Sequence, residues 1–307
     1  MVDAMATREL SWRARLTLAG ITTLIGTVAA TAACAGALDA AKIEQLTGAK
    51  GTLDEKAGVF KVSVPRSDLA VTVAGVKMSP PLGLTSWAAF EPAGDQTMVM
   101  GDMVLQEDQV VPVMDAALNN GLEVTALHNH FVSDSPKVMF MHIAATGDQQ
   151  VLASAVGKVF ATIQQTSGGR GRVPSATIDP AAGTVDAAAI DGILGVKGTM
   201  SGGVYKAVVG RTTKMHGREV GSTMGVNTWF AFAGSDQQAV VDGDFAMYEQ
   251  ELQPVLKALR KADIAVVAIH NHMTMEEPRV LFLHFWGVGP ARSLASGIKS
   301  ALDAQGK

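Results

Sequence analysis

One phrase occurs twice in this chain, and no other feature constrains its fold as tightly. Leu127-His128-Asn129-His130 is followed by Asp134, Pro136 and His142. Ile269-His270-Asn271-His272 is followed by Glu276, Pro278 and His284. Every histidine of the second copy stands 142 residues after its counterpart, and six of the seven histidines lie in these two phrases. Residues 87–147 align without gaps on 229–289, with roughly a third of the positions identical. Trp87/Trp229, Phe90/Phe232, Gly101-Asp102/Gly243-Asp244, Glu107/Glu249 and Pro112/Pro254 are among them. The phrase Lys50-Gly51-Thr52 returns as Lys197-Gly198-Thr199. A repeat this long implies two equivalent domains, and 307 residues leave room for both.

Within each copy the hydrophobic period gives an element order. Residues 85–90 and 96–105 alternate as strands, and 107–119 carry apolar residues at helical spacing up to the stop at Gly121. Residues 122–131 and 137–145 read as two more strands, joined by the turn residues Ser133-Asp134-Ser135-Pro136. Residues 148–163 read as a second helix, and 35–47 as a short helix in front. The expected class is α+β: two tandem homologous antiparallel repeats, each roughly ββαββα, related by a pseudo-twofold. The first repeat spans 38–166, a Gly-rich linker 167–190, and the second repeat 191–307.

Residues 1–34 have the order of a secretory signal: Arg8, Arg13 and Arg15, then an apolar run from Leu16 to Ala33 that closes on small residues. The lone cysteine, Cys34, follows directly, as in a lipoprotein signal where it is acylated. One cysteine excludes a disulfide framework. The expectation is an extracytoplasmic protein of the bacterial envelope or periplasm, touching the membrane only through an N-terminal lipid anchor. A formal charge of -4 supplies no basic footprint for nucleic acid.

In a strand, residues two apart share a face, about 6.5–7 Å apart along the chain. His128 and His130 therefore project together, and His142 on the next strand joins them if the connecting loop is odd in length or bulged. A two-residue turn would pair Leu127 with His142 and set that histidine on the opposite face. An odd loop sets it beside Ala126, diagonal to His128. His128, His130, His142, His270, His272 and His284 are thus candidate metal ligands. Three imidazoles with an open fourth position suit zinc. Histidine joined by the neighbouring Met139, Met141, Met273 or Met275 would suit copper. Asp134 and Glu276 hold equivalent positions and are candidate general bases on a metal-bound water, or further ligands. Glu107 and Glu249 read as helix-opening acids, Asp102 and Asp244 as turn residues after glycine, and His216 as surface structure. Trp286 shares the face of His284. The tripeptide His-Asn-His is not the dispersed HNH nuclease signature, and the helix before each His-x-His strand departs from the cupin pattern.

The run Val266 to Met273, with Glu276-Glu277-Pro278-Arg279 and Phe282-Leu283-His284-Phe285-Trp286, resembles the LppY/LpqO family of bacterial envelope proteins. Gly243-Asp244-Phe245-Ala246-Met247 and Val255 to Leu259 share the likeness. The resemblance implies an envelope setting, often as a lipoprotein, and carries no catalytic residues. The leading expectation is an exported protein binding zinc or copper through the duplicated clusters. The alternatives are a metal-dependent envelope hydrolase and a non-catalytic interaction module in which the histidines brace a hairpin.

Overall fold

The computed structural model describes residues 37–306; the expected signal segment and Cys34 lie outside the described residues. Twelve strands form one sheet. In chain order they are β1 (Gly51–Asp54), β2 (Val59–Pro65), β3 (Thr85–Ala93), β4 (Gln96–Gln106), β5 (Glu123–His128), β6 (Val138–Gly147), β7 (Thr199–Ser201), β8 (Val204–Gly210), β9 (Asn227–Gly234), β10 (Ala239–Tyr248), β11 (Ala265–His270) and β12 (Val280–Gly289). The helices are α1 (Ala40–Thr47), α2 (Val110–Asn119), α3 (Gln149–Thr166), α4 (Ala187–Leu194), α5 (Leu252–Lys261) and α6 (Ala291–Ala304). Across the sheet the order is β1-β2-β3-β4-β6-β5-β11-β12-β10-β9-β8-β7. Every neighbouring pair is antiparallel. The chain is therefore α+β. The order β3-β4-α2-β5-β6-α3 is followed later by β9-β10-α5-β11-β12-α6, each preceded by a short helix and a hairpin.

Local chemistry explains the helix starts. Asp39, Asp148 and Asp186 cap α1, α3 and α4 by accepting backbone N–H groups of their first turns. Glu107 and Glu249 open single 3-10 turns leading into α2 and α5, as an acid at a helix N-terminus should. Gly121 ends α2 with a left-handed φ of 81°, and Asp263 takes the same role after α5 at 59°.

The two stretches meet at β5 and β11, where Leu127 pairs with Ile269. Both side chains are buried in one apolar core that draws residues from both stretches. The repeats expected as two domains thus share a sheet and a core.

Alternation along the strands decides what the opposite face carries. On β4, Met103 and Leu105 enter the main core, while Val104 belongs to a small core with Val71, Met78, Leu84, Val138 and Phe140. Beside it lies a three-stranded flap of Val76–Lys77, Thr72–Val73 and Asp134–Ser135. Val220, Val226, Ala246, Val280 and Phe282 form the matching small core, beside Arg218–Val220, Thr213–Met215 and Glu276–Glu277.

The flaps correct two expectations. The strand read over 122–131 ends at His128, because the chain leaves the sheet there to build the flap. The residues Ser133 to Pro136 are no simple turn: Asp134 and Ser135 pair with Val73 and Thr72. That partner is more than sixty residues away and invisible to local pattern. Separately, α4 begins at Ala187, inside the segment 167–190 read as a linker.

Candidate metal centre

The register places the histidines. On β5 and β6, Ala126 pairs with His142, Leu127 with Met141 and His128 with Phe140. This is the odd register, accompanied by a bulge between Val124 and Ala126. The same pairs recur as Ala268 with His284 and His270 with Phe282. Since Leu127 and Ile269 point into the main core, His128 and His270 beside them point to the opposite face. Both clusters therefore lie on one face, near the centre of the sheet. His130 and His272 stand beyond the strand ends. Each is held by stacking on a phenylalanine: His130 on Phe140 at 3.3 Å between centroids, His272 on Phe282 at 3.4 Å.

In the first cluster, His128, His130 and His142 each offer a ring nitrogen, and the three atoms lie within 4.8 Å of one another. In the second, a carboxylate oxygen of Asp244 and ring nitrogens of His270 and His284 converge within the same distance. His272 falls outside that set, with its Nε2 3.4 Å from Asp244 Oδ2. His128 Nδ1 and His270 Nδ1 lie 3.3 and 3.4 Å from the carbonyls of Asn129 and Asn271. An Nδ1–H donated there leaves the Nε2 lone pair free for a cation. His284 Nδ1 makes the same kind of contact to the Gly243 carbonyl, at 3.3 Å.

Asp102 and Asp244 are the residues that sequence reasoning misplaced. Neither sits in a turn. They lie within β4 and β10, directly across from His142 and His284, and are only 8% and 2% exposed. Asp102 Oδ1 lies 4.0 Å from His142 Nε2. The glycines before them, which suggested a turn, serve close packing. A Cβ on Gly101 would strike the Trp87 carbonyl, and one on Gly243 the Trp229 carbonyl and the Phe285 ring. The signal that was available was the recurrence of Gly-Asp inside an alternating stretch.

Burial and charge oppose each other here. Burial pushes the His130 and His272 pKa values down, against the pull of Asp102 and Asp244. Burial pushes the Asp244 carboxyl up, against His284, His272 and His270. Three buried acceptor atoms, Asp102 Oδ1, His270 Nε2 and, in the flap, Asp134 Oδ1, have no hydrogen-bond partner among the described residues. Buried polar atoms are rarely left so. A cation in each cluster would satisfy Asp102 Oδ1 in the first and His270 Nε2 in the second. The residues present therefore fit a metal ion, and each set of converging ligand atoms could hold one.

The carboxylates expected as general bases are engaged elsewhere. Asp134 Oδ2 accepts the Val138 N–H at 2.8 Å, with Lys137 3.5 Å from its other oxygen. Glu276 Oε1 accepts the Val280 N–H at 3.2 Å. Neither belongs to a set of converging ligand atoms. The reason is topological: both residues form flap strands, and their side chains tie the flap to the strand that follows. The methionines also turn away. Met141 is buried in the main core and Met139 packs against it, both on the face opposite the histidines. Met273 packs on the second small core, and Met275 is 84% exposed. His216 is exposed at the tip of the second flap. Trp286 donates its indole N–H to the Pro174 carbonyl at 3.1 Å.

An antiparallel α+β sheet carrying histidine clusters able to hold metal ions is the class these features define. The chain belongs to a family described as a domain of unknown function, DUF1529 (DUF1259), whose profile matches residues 41–162 and 188–304. No curated protein matches it. Among solved structures, a trimeric bacterial microcompartment shell protein, PduB, is similar at 12% identity and a TM-score of 0.22. The match covers 82% of this chain and 90% of that one, and at such a score it carries no argument.

Proposed function

We propose that the protein is an exported transition-metal binder of the bacterial envelope, holding one ion in each cluster. The observation that carries this reading is the convergence of three ligand atoms per cluster within 4.8 Å. We assign His128, His130 and His142, with Asp102, to one ion. His270, His272 and His284, with Asp244, hold the other. An imidazole and carboxylate set, with Met139 and Met141 on the opposite face and Met275 exposed, favours zinc over Cu(I). The matching registers and strand order support a pseudo-twofold through the Leu127–Ile269 pair, relating repeats 38–166 and 191–307. The resemblance to the LppY/LpqO group and the Arg-rich, apolar lead to Cys34 support export and a lipid anchor.

The test is elemental analysis of untagged protein, metal-free and after reconstitution. Two zinc ions per chain are expected, falling to one in His270→Ala/His272→Ala. Absence of zinc, copper, iron and nickel after reconstitution rejects the reading. Export is tested by the mass of the mature chain in its host. A lipid-modified chain beginning at Cys34 is expected, and an unprocessed cytosolic chain rejects it.

A further inference from the structure

Strands β5 and β11 touch at Leu127 and Ile269, the single residue pair that joins them. Beyond it, on β5, the Val124 N–H donates to Gln253 Oε1 at 3.2 Å, and Gln253 Nε2 donates to the Val124 carbonyl at 2.8 Å. A carboxamide from α5 thus stands in for a neighbouring strand.

Val266 holds the equivalent place on β11. It pairs with Phe285 as Val124 pairs with Ile143, and a bulge follows in both. Alternate residues of an antiparallel strand direct their peptide groups to opposite sides. The Val266 N–H and carbonyl therefore aim away from β12, as those of Val124 aim away from β6. The residue standing where Gln253 would be needed is Val111, whose side chain neither donates nor accepts. No side chain among the described residues makes those two bonds. Instead, a cavity of about 180 Å³ opens beside Val266, lined by Val110, Val111, Met139, Trp286 and the segment Arg172–Pro174. Val266 is 2% exposed, and buried peptide groups are rarely left without partners.

We propose that this cavity is a binding site for a small apolar molecule bearing a carboxamide. Its amide makes on Val266 the two hydrogen bonds that Gln253 makes on Val124. Its apolar body lies against Val110, Val111 and Met139. The indole N–H of Trp286 is already bonded to Pro174, so the ring offers only its apolar surface. The volume suits one ring and its amide, since a cavity of about 150 Å³ takes up benzene.

The test titrates the full chain with benzamide, and with toluene as the probe lacking the amide. The readouts are the Val266 backbone amide resonance and Trp286 fluorescence. Benzamide should bind about tenfold tighter than toluene, the worth of two modest hydrogen bonds. The Val266 resonance should be among those that move most. Val111→Gln should supply the bonds internally and abolish binding, while Val111→Ala should keep it within a few-fold. Equal affinity for the two probes, an unmoved Val266 resonance, or full benzamide binding by Val111→Gln overturns the proposal. Should Val111→Gln fail to fold, the Val266 resonance and the probe comparison on the unsubstituted chain decide. Removal of metal by a chelator should leave benzamide binding unchanged, which separates this site from the histidine clusters.

Discussion

The Oδ2 oxygen of Asp244 lies 3.4 Å from Nε2 of His272, joining a buried carboxylate on a central strand to a ring beyond the end of another. The carboxylate also accepts the Leu283 N–H through Oδ1 at 3.1 Å, so its position is set by the sheet. Asp244→Asn should weaken metal binding about 10–100-fold, as loss of a ligand or its orienting partner does. Burial holds the Asp244 carboxyl up, so the metal-free variant should be more stable than the parent at neutral pH. Competition with a chromophoric chelator measures the first effect and urea unfolding the second. Unchanged affinity would remove Asp244 from the site.

Without the Asp244 carboxyl, the metal-free protein should lose stability on mild acidification. Each of His130 and His272 has a folded pKa lowered by burial against phenylalanine. Such a group contributes fully above the unfolded value of about 6.5, and the contribution is lost as pH falls through the lowered folded value. Asp244 runs the other way: its contribution is complete below about 3.9 and is lost as pH rises through the raised folded value. In an Asp244→Asn background, where the opposing carboxyl is absent, the urea midpoint should therefore drop between pH 7 and pH 5. His130→Gln/His272→Gln should flatten that drop. An equally steep drop in the double variant would reassign it to other groups.

Asp134→Ala and Glu276→Ala should separate structure from chemistry. Each removes the acceptor for a backbone N–H that follows the flap, so each should destabilise the fold by about 1–3 kcal/mol. Metal stoichiometry should stay at the parent value, since neither carboxylate converges on the ring nitrogens. Chemical unfolding paired with elemental analysis checks both halves. Loss of metal in a variant of parental stability would restore these residues to the site.

Leu127→Ala and Ile269→Ala should each cost about 2–5 kcal/mol, the usual range for truncating a buried aliphatic side chain. The two residues are cross-strand partners at the join of the sheet, so the double variant should cost less than the sum. Denaturant titrations of the four proteins close this cycle. Strict additivity would mean that the pair does not couple the two stretches.

The histidine clusters were legible before folding because they are short-range patterns. His-x-His on a strand, and a third histidine at fixed spacing, constrain the face once the register is odd, and Ala126 pairs with His142 as that register requires. The helix start at Asp148 was equally local, whereas the starts after Asp39 and Asp186 were not read from the sequence. Asp102 and Asp244 were misread because Gly-Asp is ordinarily turn chemistry. Here the glycines are demanded by backbone and aromatic atoms of neighbouring chain segments, which no local window contains.

By itself, the order of residues determined the duplication, the α+β alternation and the six imidazoles that cluster in threes, since each depends on spacing along a strand or helix. Only the tertiary structure decided which carboxylates attend them. Cross-strand pairing brought Asp102 to His142 and Asp244 to His284, and flap formation turned Asp134 and Glu276 onto backbone N–H groups. The single pair Leu127–Ile269 decided that both clusters share one face: burying two aliphatic side chains in a common core turns their neighbours, His128 and His270, outward together.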